Sequence, residues 1–152
     1  MVSLDYENIF SWFRGLITDF NMLKFDPKDL EDIEKEKLHR AISNPRVTSL
    51  FSSLSLNDDS MVMEFELYDS IDDFSDKLFI QEVLANGMAI AWYQPQVDSV
   101  LNVAPMIGGK EEKTLLNNHK YSIERLNALE IERQKIIRDR GYSYYGKRNK
   151  ST

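Results

Sequence analysis

Cysteine is absent from the 152-residue chain, which removes disulfides, thiolate metal sites and a cysteine nucleophile together. Histidine is nearly as scarce. His39 and His119 lie far apart in the sequence and leave a serine or cysteine triad little to build on. No apolar run approaches the ~18 residues that a membrane-spanning helix needs. The opening Met1-Val-Ser-Leu-Asp5 lacks the basic region and apolar stretch of a secretory signal. A soluble protein of a reducing compartment, with no membrane partner, is the expectation. A core remains affordable, because 42% of residues are hydrophobic, and this length suits one domain.

Charge is present but unevenly placed. Residues 1–76 carry 17 acidic and 7 basic side chains, net −10, whereas residues 77–152 carry 8 and 12, net +4. Such a split suits copies packing side by side, acidic part against basic part.

Several patterns resemble chemical motifs and fail on spacing. Gly108-Gly109-Lys110 has Ala104 where a phosphate loop needs glycine and Glu111 where it needs serine or threonine. Glu36-Lys-Leu-His39 is half of a di-iron ligand set, and its counterpart is missing because Leu116 precedes His119. Glu64 and Glu66 share one face of a strand and read as its wet side. Asp72, Asp73 and Asp76 sit at a helix start, where acids complement the dipole. No enzyme activity, cofactor or metal is expected.

The expected fold is mainly α: a helical bundle with a long antiparallel helix hairpin, one short β-strand or hairpin element and an extended C-terminal arm. Residues 1–140 form a single helical domain, and 141–152 form the arm. Ile9, Trp12, Phe13, Leu16, Ile17 and Phe20 recur at helical spacing, predicting a core-facing helix over 5–21. Asp26-Pro27 opens a second helix over 27–42, with Asp as N-cap and Pro at the first position. The run Asp29, Glu31, Asp32, Glu34 and Glu36 reads as its solvated side. Asn44-Pro45 ends it, and Val47, Leu50, Phe51 and Leu54 suggest a short third helix. Alternation over Met61–Tyr68 predicts a strand near 61–68. It needs a partner, either residues 47–56, the arm, or a strand of a neighbouring subunit.

The hairpin is expected over 72–140, its arms at 72–103 and 110–140. Ser70-Ile-Asp-Asp73 has the form of a capping box, Pro95 predicts a kink or an end near Tyr93, and Pro105-Met-Ile-Gly-Gly109 is the turn. The second arm is expected to stop at Gly141, since glycine commonly closes helices. Beyond it come three tyrosines and three cations without an aliphatic residue, a composition that gains order on a partner. Arg138, Arg140, Gly141, Tyr142, Tyr144, Tyr145, Lys147 and Arg148 are the candidate partner-binding residues. With Arg133, Lys135 and Lys150 they also suit nucleic acid, tyrosines stacking and cations meeting phosphate. The net charge of −6 opposes that reading. A generic helical protein-interaction module or regulator is a further alternative.

Four segments, Ala89-Ile-Ala-Trp-Tyr93, Val97-Asp-Ser-Val-Leu-Asn102, Gly108-Gly-Lys-Glu-Glu-Lys113 and Ile136-Ile-Arg-Asp-Arg-Gly-Tyr142, resemble those of neck proteins of tailed bacteriophages. They are most similar to ring or adaptor proteins of the crAss-like phages that infect gut Bacteroidota. The resemblance spans roughly residues 70–145 and implies a head–tail connector, a structural virion protein that forms a ring between the capsid portal and the tail. It implies a homo-oligomer, commonly a dodecamer, whose partners are the portal, the next tail or ring protein, and in passing the packaged DNA. Such a protein is assembled in the bacterial host cytoplasm and carried in the virion. It brings no catalytic residue.

Overall fold

A computed structural model describes residues 1–17 and 25–150, without the side chains of residues 149 and 150. It is mainly α with one small antiparallel sheet. The order is β1 (Val2–Asp5), α1 (Tyr6–Leu16), α2 (Pro27–Ser43), α3 (Pro45–Thr48), β2 (Phe51–Asn57), β3 (Val62–Leu67), α4 (Asp73–Ile107), α5 (Gly109–Asn118) and α6 (Lys120–Lys150).

The strand expected near 61–68 is β3, and both its neighbours come from this chain. The sheet order is β1-β3-β2. Leu4 and Leu56 flank Met63, while Val2 and Leu54 flank Phe65, so alternate residues of all three strands face the core. The short helix expected across 47–54 is instead the single turn α3 followed by β2. Its i, i+3, i+4, i+7 spacing was real, but Leu54-Ser-Leu56 also alternates. Pairing with β3 satisfies backbone groups that a lone turn of helix leaves open. Asn57 shapes the hairpin turn by accepting from the amides of Asp59 and Ser60 at 3.1 and 3.0 Å.

The first helix differs from expectation at both ends. Residues 2–5 are strand and Ile17 is already extended; residues 18–21 of the expected helix, with Phe20, lie outside the described residues. Tyr6, Ile9, Phe10 and Phe13 are buried, whereas Trp12 is largely exposed. The Tyr6 hydroxyl donates to Asp58 at 2.6 Å, and His39 meets the other Asp58 oxygen at 2.8 Å. Tyr6 holds the Asp58 carboxyl below the usual range. That contribution to stability is present at neutral pH and fades as pH falls through the folded value.

Helix α2 matches 27–42 closely. Asp26 takes the N-cap position without a side-chain capping bond. Glu34, expected in solvent, is fully buried and meets Arg14 at 2.7 Å. The two groups are partly desolvated partners across α1 and α2.

Helix α4 is the centre of the fold. From Phe79 to Tyr93 it is buried almost all round, as expected of a helix covered on every side. It packs against α1 and α2 and, on another side, against α6. Its N-cap is Asp72 and not Ser70: Asp72 accepts from the Ser75 amide at 2.7 Å, which holds its carboxyl low. The helix continues through both Pro95 and Pro105. Reversal occurs only at Gly108 and Gly109, with φ of 70° and 62°, where glycine avoids a Cβ clash. The return arm breaks at His119 and resumes as α6. The core reaches Val97 on α4 and Leu126 on α6; α5 buries no residue. The distal hairpin therefore projects from the body.

Gly87 sets the approach of α2 to α4, because a Cβ there would lie 2.8 Å from the Ala41 Cβ. Gly87→Ala gains about 1 kcal/mol of helix propensity but overpacks the interface by about 1–3 kcal/mol. A net loss in the urea midpoint is the expected outcome. An increased midpoint would show that the two helices do not meet as described.

Candidate partner-binding face on the C-terminal helix

Helix α6 does not stop at Gly141. It runs through Gly141 and Gly146 to Lys150, so the expected extended arm is helical as far as residue 150; Ser151 and Thr152 lie outside the described residues. Neither glycine has a positive φ. A Cβ at either would meet open space, so steric crowding does not require them.

What holds the helix past Gly141 is on its inner side. Leu126, Leu129, Ile136 and Arg140 are buried, and their spacing of three, seven and four residues puts them on one face. Asn86 of α4 donates to the Leu129 carbonyl at 3.1 Å, and Arg125 donates to the Leu16 carbonyl at 2.9 Å. Arg140, expected to be a partner-binding cation, is instead paired with the buried carboxylate of Asp76. It also donates to the Asp69 carbonyl at 2.9 Å, and its guanidinium lies 5.0 Å over the Phe79 ring. Asp76 is satisfied further by the Ser70 hydroxyl at 2.6 Å and the Ile71 amide at 3.1 Å. Lys147 reaches the Ile71 carbonyl. Asp76 is thus a structural counter-ion as well as an acid near a helix start.

The outer side carries the rest. Ile131, Arg138, Tyr142 and Tyr145 follow one another by seven, four and three residues and share a face opposite Arg140. Ile131, Tyr142 and Tyr145 are 67%, 69% and 58% exposed, and Arg138 meets Asp139 at 3.8 Å in solvent. Tyr144 is half-buried and braces Tyr145 edge to face at 5.6 Å. Of the eight expected residues, Arg138, Tyr142 and Tyr145 form this outward stripe. Arg148 is exposed near its end, while Arg140, Tyr144 and Lys147 work inward and Gly141 only continues the helix.

The sequence signal for the inward role is an Arg and an Asp that each fall on the apolar stripe of one hairpin arm. The assumed helix stop at Gly141 hid it.

Two further surfaces adjoin. A shallow groove of about 390 Å³ between α4 and α6 is lined by Glu82, Glu132, Lys135 and Asp139 among others. Burial, reinforced by Glu132 and Asp139, pushes the Glu82 carboxyl up. Among the described residues, the groove's lining includes no histidine. At the hairpin tip, Leu101, Val103, Met106 and Ile107 are exposed. Among the described residues, no cluster of three or more His, Asp or Glu side chains is placed to hold a metal, and no helix is long and apolar enough to cross a membrane.

No protein family, characterised protein or solved structure matches the chain.

Gly141→Ala separates a continuous helix from a terminated one. In a helix with open space it should raise stability by about 0.5–1 kcal/mol, read from thermal or chemical denaturation. A drop would mean that Gly141 holds a left-handed cap.

Proposed function

We propose that this chain is a structural virion protein of a tailed phage, a head–tail connector whose copies form a ring joining the capsid portal to the tail. The observation that carries the reading is the outward stripe of α6. A rigid helix clamped to the body displays tyrosines, an arginine and an isoleucine to solvent, and Tyr and Arg are the residue types that most often anchor protein interfaces. Two χ angles per tyrosine keep the entropy cost of docking low.

Other features agree. The acidic first half and basic second half of the chain favour heterologous contacts, which close into rings when the rotation between copies permits. The projecting hairpin carries exposed apolar residues at its tip, a second surface suited to an axial neighbour. The four segments that resemble phage neck proteins fall on α4, α5 and α6, the parts that build the hairpin and the stripe. Nucleic acid as main partner is less well supported, since Arg140 and Lys147 are engaged within the chain.

Replacing both Tyr142 and Tyr145 with alanine tests the reading. Both rings are exposed, so the chain should keep its fold, with its unfolding free energy unchanged within about 0.5 kcal/mol. Loss of two anchors should weaken partner binding by about 2 kcal/mol or more, on the order of 30-fold. In a phage that encodes this chain, complementation with the double variant should leave filled heads without tails. Normal yields of tailed particles would count against the proposal.

A further inference from the structure

The outer face of the small sheet is uncovered and unusual in composition. Ser3, Glu64 and Ser55 form one row across its three strands, and Glu66 lies beside Ser53 in the next. Asp5 projects from the same side of β1. Val62, opposite Asp5 and Asn57, continues the face as its half-buried apolar member. Glu66 pairs with the N-terminal amine at 3.6 Å. Serines on both sides of Glu64, and Ser53 on one side of Glu66, leave an acidic floor onto which another element can lie closely.

The outward stripe of α6 has complementary dimensions and charge. From Ile131 to Tyr145 it runs about 21 Å at 1.5 Å per residue, and the six residues of β3 run about 20 Å. Glu64 and Glu66 stand roughly 7 Å apart on one face of the strand. Lys135 and Arg138, three residues apart on the helix, have Cβ atoms about 5–6 Å apart. Glu132 and Asp139 line the groove toward α4 with Glu82 and Lys135; Lys135 is exposed at the rim of that groove, three residues before Arg138 on the helix.

From this match we infer that α6 of one copy lies on the outer sheet face of the next, with Lys135 and Arg138 over Glu64 and Glu66 and the tyrosines over the serine floor. The occupant is a second copy of this chain. The inference rests on the ring reading and specifies its lateral contact. The contact is heterologous, using different surfaces on the two copies, and Arg–carboxylate pairing at its centre sets the register.

Charge reversal with exchange tests it. One variant carries Glu64→Lys and Glu66→Lys; a second carries Lys135→Glu and Arg138→Glu. All four side chains are exposed, and circular dichroism verifies that each variant is folded. By native mass spectrometry and sedimentation at low salt, the unaltered chain should self-associate. Each variant alone should associate roughly 100-fold more weakly, because like charges then face each other. An equimolar mixture should assemble again with the two variants alternating, since each mixed contact restores opposite charges.

Self-association of both single variants at the unaltered strength would overturn the sheet contact while leaving the connector reading intact. A mixture that fails to assemble would also overturn it, as would an unaltered chain that stays monomeric throughout. The charge exchange leaves both tyrosines in place and reads the lateral contact by itself, whereas normal tail joining by the tyrosine variant would count against the connector reading, so the two failures are distinguishable.

Discussion

The buried pairing of Arg140 with Asp76 fixes where the C-terminal helix lies, and most of the surface that matters depends on it. Arg140 sits on α6, Asp76 on the first turn of α4, and the carbonyl and hydroxyl partners come from Asp69 and Ser70 at the exit of β3. One guanidinium thus joins three elements. The pair is nearly solvent-free, so removing a single partner would leave an uncompensated charge, a loss of about 3–5 kcal/mol. Replacing both with apolar residues would cost far less. The pair's main contribution is therefore positional: an aliphatic side chain could slide along Phe79, whereas a planar fork must meet its carboxylate and carbonyl.

Positioning determines what faces outward. With Arg140 turned in, helical geometry turns Arg138, Tyr142 and Tyr145 out, and Tyr144 is left half-buried as their brace. Lys147 adds a contact to Ile71 one turn before the described helix ends. A segment with no aliphatic residue after Ile137 remains helical because it extends a helix already anchored by Leu129, Ile136 and Arg140. Propagation from an existing helix avoids the cost of nucleation. The result is a preformed surface, and on the proposed reading it loses less entropy on docking than an unfolded arm.

Much of the fold was legible in the sequence. The hairpin followed from apolar spacing, from charges between the apolar positions and from Gly108-Gly109, and α2 followed from Asp26-Pro27 and the Asn44-Pro45 break. The sheet was harder. β1 spans four residues, too short for alternation to stand out, and β2 hides leucines among serines in a pattern that also fits a helix. Only pairing with β3 chooses between the two. At the candidate site the residue types were legible and their conformation was not. Gly141 looked like a stop because local glycine preference favours one, and the long-range Arg140–Asp76 contact overrides it. Glu34 shows the same override, since its run of acidic neighbours hides one position that faces Arg14.

The central claim is that the free chain already holds residues 138–148 as an anchored helix presenting one face to a partner. Hydrogen–deuterium exchange read by mass spectrometry tests this directly. In the isolated chain, amides from Arg138 to Lys147 should exchange slowly, approaching the protection of residues 126–137, and those from Arg138 to Tyr145 should slow further in the assembled state. Exchange at the intrinsic rate from Gly141 onward in the isolated chain, with protection gained only on assembly, would contradict the account.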